Sequence, residues 1–266
     1  MHVLLTVGPS VTPDGAELRL RRVETFWITA AALLWGAGAG LLIPRAAYRL
    51  SVSPDEPWRA ACPAGHAFAG AGKGWLGRAR CADCDSYGPS TPVLAAVTAV
   101  VCVVLAAAVD ARPELVVWLV LAPIGVLLAT VDFTVERLPD VVTLPLAAIT
   151  LGLLGVAALL PGTDGSWRSA LFGSLALGAF CLVLFLINPA GFGFGDVKLA
   201  LTLGAVTGWH GWDILIAGTF AGFLLFALYG LSLIVARRAD RKTAHPLGPF
   251  LLTGAEVGVL LGSFAS

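Results

Sequence analysis

Two aspartates in this chain stand against apolar runs. Asp132 ends one run, and Asp196 follows the glycine-rich turn Gly191-Phe192-Gly193-Phe194-Gly195. An ionised carboxylate in or beside a bilayer is costly, so each needs a partner or a task. Two carboxyl groups that meet cannot both ionise easily. One keeps its proton while the other accepts one, the pairing that splits a peptide bond through an activated water. Gly193 and Gly195 remove side-chain bulk and permit positive φ, which makes them a candidate turn for the approach of an extended substrate backbone. The plainer readings stand beside this one. Asp196 sits where a helix cap would, and Asp140, just ahead of a long apolar run, reads as a cap. Glu136 reads as a solvated interfacial group. Lys198 lies about 200° round a helix from Asp196, so it reads as a snorkelling anchor rather than a charge partner.

These residues must be positioned by elements of a particular kind. Hydrophobic residues make up 58% of the 266 positions and charged residues 13%, with mean hydropathy +0.86 and formal net charge zero. An ordinary globular domain carries about 25% charged residues. A soluble domain is excluded, the lipid bilayer is the surrounding medium, and no nucleic-acid partner is indicated. Met1–Leu20 shows no basic start, apolar run and cleavage site of a signal peptide. The pattern predicts an all-α, polytopic membrane protein of about eight spans. They lie near Thr25–Ile43, Pro92–Val109, Leu115–Val131, Val141–Leu160, Ala170–Ile187, Val197–Trp209, Ile214–Ala236 and Gly248–Phe264. The sixth, Val197–Trp209, is short for a crossing of about 20 residues. In domain terms, residues 1–24 form an extracytoplasmic tail, 25–43 the first span, 44–91 a cytoplasmic loop, and 92–266 the core.

Orientation follows from the basic residues. With eight spans, one side holds Arg45, Arg49, Arg59, Lys73, Arg78, Arg80, Arg137, Lys198, Arg237, Arg238, Arg241 and Lys242. The other holds only Arg19, Arg21, Arg22, Arg112 and Arg168. The richer side is cytoplasmic, and Arg19–Arg22 is the discordant stretch. Between Asp132 and Asp196 lie two complete crossings, which return the chain to the side it left. Both carboxylates are therefore expected on the cytoplasmic face.

With these elements in place, the chain resembles the prepilin peptidase family of intramembrane aspartic proteases. The stretch from Val131-Asp132 through Leu138-Pro139-Asp140 to Leu144-Pro145-Leu146 is similar to that family's first aspartate block. Gly191–Asp196 with Val197-Lys198-Leu199 resembles its GxGD block, and Pro246-Leu247-Gly248-Pro249-Phe250 a third, weaker segment. The resemblance implies an endopeptidase with Asp132 and Asp196 as its catalytic pair. It would remove the leader of type IV prepilins or pseudopilins at the cytoplasmic face of the inner membrane. No cofactor is needed for that proteolysis.

Many members also methylate the new N-terminus with S-adenosylmethionine and carry two CxxC pairs in the first loop. Here that loop has Cys62-Pro63-Ala64-Gly65-His66 and Cys81-Ala82-Asp83-Cys84, with Gly65 in place of a fourth cysteine. Cys62, His66, Cys81 and Cys84 form a chemically reasonable Cys₃His set for structural zinc in a reducing compartment. The alternative is a degenerate site of free thiols. Pro44 stands where the family usually has Asn, and Ala95 where Glu is expected. S-adenosylmethionine is therefore expected only if methylation is retained. Two other functions compete. One is a proton- or cation-coupled transporter using Glu256 and Asp110, the other a catalytically silent scaffold for pilus assembly. Cys102 and Cys181 read as core residues, and Trp27, Trp167, Trp209 and Trp212 as an interfacial belt.

Overall fold

The computed structural model describes residues 15–53, 56–81, 86–189, 191–236 and 245–265; at 15–18 it describes backbone alone. Ten helices follow in order: α1 (Gly15–Gly40), α2 (Ile43–Leu50), α3 (Ala71–Gly74), α4 (Thr91–Val109), α5 (Glu114–Val135), α6 (Asp140–Ala157), α7 (Trp167–Ile187), α8 (Phe194–Gly208), α9 (Trp212–Val235) and α10 (Gly248–Ala265). Among the described residues no β-strand forms, and a single bridge joins Ala61 to Ala67 in the loop after α2. The chain is an all-α membrane protein, as its composition predicts.

Among the described residues, six helices are long and apolar enough to cross a bilayer: α4, α5, α6, α7, α9 and α10. The pair α1 and α2, bent by 41° at a short break, makes a seventh when counted as one span. Pro44 at the start of α2 explains the break, because its ring cannot continue a helix and it is tolerated in a first turn. The first helix begins at Gly15, so part of the expected tail is helical. The expected sixth span is α8. Its 15 residues cover about 22 Å, short of the hydrocarbon core. Helices α6, α7, α9 and α10 surround it, and Leu199, Ala200 and Ala205 in it are fully buried.

Glycine ridges set the helix pairs. A methyl group built on Gly36 would stand 2.7 Å from the Thr98 carbonyl oxygen, which seats α1 against α4. Gly208 meets the Ser169 carbonyl in the same way at 2.8 Å, joining α7 to α8. On α9, Gly218 and Gly222 would approach the Gly254 and Phe250 carbonyls at 2.9 and 3.0 Å. Lipid supplies no hydrophobic drive between helices, so small residues that let backbones approach are what hold such pairs. Cys102 and Cys181 are fully buried, as expected. Trp209 is not part of an exposed belt: it is 1% exposed, packed in the core against Gly165, while Trp27, Trp167 and Trp212 do face outward.

Candidate active site

Asp132 lies on the last turn of α5 and is 4% exposed. The helix ends because Glu136 adopts φ 51° and its N–H closes onto the Asp132 carbonyl at 2.8 Å. Glu136 itself is exposed, as a solvated group should be. The Asp132 Oδ2 atom accepts a hydrogen bond of 3.0 Å from the backbone N–H of Gly248, the first residue of α10. A helix N-terminus is a natural seat for a carboxylate. Glycine leaves room for this contact, since a Cβ at 248 would stand 2.8 Å from Oδ2 and would displace the carboxylate or the helix start. The weak third segment read in the sequence thus supplies the direct partner of the first block.

Asp196 is the third residue of α8, counted from the Gly193 cap, and is 7% exposed. The residue that caps this helix is Gly193, and no side chain hydrogen-bonds that end, so the cap reading of Asp196 is corrected. Oδ1 is buried and has no hydrogen-bonding partner among the described residues. A buried polar atom left without a partner is costly and usually marks a missing water or ligand.

The two blocks meet through Leu138, which is 4% exposed. A Cβ on Gly195 would stand 2.9 Å from the Leu138 Cβ, and one on Gly248 would stand 3.4 Å from its Cδ1. The bareness of Gly195 therefore makes room for Leu138 of the chain itself. That of Gly193 makes room for Asp196, whose Oδ2 would lie 3.0 Å from a Cβ there. With α5, α8 and the start of α10 locked in this way, Asp132 lies within electrostatic reach of Asp196.

Two expectations are corrected nearby. Asp140 opens α6 without capping it: Pro139 is the cap residue, and no side chain caps that end. Lys198 is not a bare anchor. Its Nζ pairs with Asp140 Oδ1 at 2.6 Å and lies over the Phe194 ring at 4.6 Å. The angle that carries Lys198 away from Asp196 carries it onto the start of α6. Asp110, a relay residue in the transporter reading, ends α4, and Thr25 Oγ1 donates to it at 3.0 Å. Gly248 next to Asp132 and Asp110 near Glu114 mark opposite ends of α5.

In the loop after α2, Cys62, His66 and Cys81 converge, their ligand atoms all within 4.8 Å of one another. His66 Nδ1 lies 3.6 Å from Cys62 Sγ and 3.3 Å from Cys81 Sγ. Tetrahedral zinc with bonds of about 2.0–2.3 Å implies ligand separations near 3.5 Å, so the set fits. Cys84 lies outside the described residues. The Cys81 thiol and then the Cys62 thiol hold the His66 pKa above its ordinary value. Gly65 has φ +83°, and its N–H closes a tight turn onto the Cys62 carbonyl at 2.9 Å. That left-handed position suits glycine, and the turn delivers His66, one place later, to the ligand set.

A polar cluster at the far end of α5 gave no motif in the sequence. Glu114 is fully buried and accepts from the Asp164 backbone N–H at 3.4 Å, while Arg112 pairs with Asp164 at 2.8 Å. Burial pushes the neighbouring His210 down to about 4, with Arg112 adding to the effect.

Comparison with known proteins places the site in context. The model of the type IV leader peptidase family matches residues 119–231, which hold Asp132, Asp140, Asp196 and Lys198. The chain is 34% identical over 137 residues to a prepilin leader peptidase/N-methyltransferase of Pseudomonas aeruginosa, covering 51% of this chain and 46% of that protein. It is 31% identical over 191 residues to the Pseudomonas putida protein of that name, covering 70% and 64%. Against that of Aeromonas salmonicida it is 30% identical over 192 residues, covering 71% and 64%. The chain thus spans from about half to just under two thirds of the length of these relatives. No solved structure matches it.

Proposed function

Through residues 119–231 the chain belongs to the type IV leader peptidase family, and we propose that it is an intramembrane aspartic endopeptidase removing leader peptides from prepilins or pseudopilins. The observation that carries this reading is that Leu138 packs against both Gly195, beside Asp196, and Gly248, whose N–H holds Asp132. The two aspartates come from separate blocks, and both are buried. Sharing one proton, the charged carboxylate takes a proton from water as the water adds to the scissile carbonyl. The protonated one gives its proton to the carbonyl oxygen, forming a neutral tetrahedral diol. Collapse breaks the C–N bond. The diol gives one hydroxyl proton to the carboxylate that protonated the carbonyl oxygen, and the leaving amine takes one from the carboxyl that accepted the water proton, which restores the starting pair. The unpartnered Asp196 Oδ1 suits contact with water or the carbonyl.

We place the basic end of the bundle, with both aspartates, at the cytoplasmic face of the inner membrane, where a basic leader would be presented. Zinc, if bound by Cys62, His66 and Cys81, would tie the loop together as a structural ion and takes no part in the cleavage chemistry. We assign cleavage alone. With Pro44 at the bend and Ala95 packed beneath Gly40, the features tied to methylation are altered.

The test is a leader-cleavage assay in liposomes on a prepilin from the same genome, with Asp132→Asn and Asp196→Asn made singly. Each variant is expected to lose about 10²–10⁴-fold in rate while remaining folded. Wild-type cleavage by either variant would sink the dyad.

A further inference from the structure

A cavity of about 490 Å³ lies between α4, α5, α8 and α10. Its walls are almost wholly apolar, and its rim residues Val93, Val97 and Phe133 are 56%, 43% and 55% exposed, so it opens sideways from the bundle. It lies beside the candidate active site. Phe133 follows Asp132, Leu199 lies one turn beyond Asp196, and Pro249 follows Gly248, all three lining it. Thr130 and Thr253 in the wall donate to carbonyls of their own helices, whereas Thr202, Glu256 and the Trp118 indole N–H do not. Thr202 is 3% exposed, and its Oγ1 has no hydrogen-bonding partner among the described residues. Across from it, on α10, Glu256 has no hydrogen bond or ion pair among them either.

Resting on the cleavage reading above, we propose that this cavity receives the apolar membrane helix that continues from the substrate's scissile bond. Thr202 and Glu256 would meet a hydrogen-bonding side chain on that helix and so set its register. An acyl chain would fill the apolar walls but leave both polar groups unsatisfied, and in hydrocarbon such a group is expensive. A helix carrying one hydroxyl, amide or carboxyl among apolar residues satisfies them, because a protonated carboxyl both donates and accepts. Glu256 lies eight positions along α10 from Gly248, about 12 Å deeper at 1.5 Å per residue. The polar side chain should therefore sit about eight residues beyond the cleaved bond if the substrate is helical there.

The experiment compares two substrates of the full chain in liposomes: a membrane-anchored prepilin, and a short soluble peptide spanning only its leader junction. Filling the cavity with Ala122→Phe, and separately removing its polar contact with Glu256→Leu, should lower kcat/KM on the anchored substrate through KM. The loss should exceed that on the short peptide by about tenfold or more, and Glu256→Gln should restore most of it. A photoreactive residue at Val97 of the otherwise unchanged chain should crosslink to the anchored substrate beyond its leader. Equal loss on both substrates from both variants, or crosslinks to phospholipid alone, would overturn the proposal. A wild-type chain that cleaves neither substrate would count instead against the peptidase reading itself.

Discussion

The two ends of α5 both bury carboxylates, and they treat them differently. At one end Glu114 sits fully buried beside the Arg112–Asp164 ion pair and accepts a backbone N–H. At the other, Asp132 and Asp196 are buried with no ion pair to a cation among the described residues. The nearest lysine in sequence, Lys198, is turned away onto Asp140. The Arg112–Asp164 pair ties the chain before α5 to the loop before α7, which is a structural task. Two carboxyl groups with no ion pair among the described residues remain able to share a proton. The first end is built for structure, the second for chemistry.

The strongest way to break this contrast is Gly248→Ala. The added methyl would stand 2.8 Å from Asp132 Oδ2, so either the carboxylate or the start of α10 must move. Misplacement of about 1 Å costs on the order of 10²-fold in rate. Cleavage should fall by that amount in kcat, with thermal stability in detergent little changed. Normal turnover would mean that the Gly248 contact does not position the aspartate.

The opposite end is tested by pH. His210 has a folded pKa of about 4, depressed by burial from 6.5. A depressed pKa adds stability that is fully present above the unfolded value and lost as pH falls from about 6.5 towards 4. The amount is on the order of 3 kcal/mol. The melting temperature of the chain should drop across that window, and His210→Gln should flatten the drop. An unchanged slope in the variant would remove His210 from the structural cluster.

A smaller effect is expected from the Lys198–Asp140 pair. It is half open to solvent on the aspartate side, with 62% of the Asp140 side chain exposed. Such a pair contributes at most about 1 kcal/mol, or roughly fivefold. Lys198→Asp should reduce cleavage by that order, and the double exchange with Asp140→Lys should recover it. Failure of the exchange to recover activity would show that Lys198 acts other than through Asp140.

Much of this arrangement was legible in the sequence because it depends on counting. Apolar runs gave at most seven of the eight expected crossings, since α8 is too short to qualify, and two of them, α6 and α7, lie between Asp132 and Asp196. What escaped was set by directions that a linear chain does not display. Asp140 and Lys198 were each read against sequence neighbours, whereas they meet across α6 and α8. Trp209 looks interfacial by type and position, yet Gly165 leaves the space into which it packs. The glycine ridges on α1, α8 and α9 were diluted among 31 glycines, since their spacing matters only once the facing helix is known. Glu114 and His210 lie far apart in sequence and form no motif.

The loop after α2 gives the last and smallest test. It joins the chemical end of the bundle, where Arg49 lies 3.9 Å over the Trp75 ring and Arg59 donates to the Tyr48 carbonyl at 2.7 Å. Cys62, His66 and Cys81 are spaced for zinc, and a structural ion there would add folding energy to the loop rather than to the aspartates. Protein purified without chelator should carry about one zinc per chain, and Cys81→Ser should lose it. Cleavage of a prepilin should then change by about twofold or less, because no step of the hydrolysis passes through the metal. A large loss of cleavage on zinc removal would tie the two aspartates to the loop. The chemical end would then need a cation after all, at one remove, and the contrast between the ends of α5 would lie in where the cation sits rather than in whether one is required.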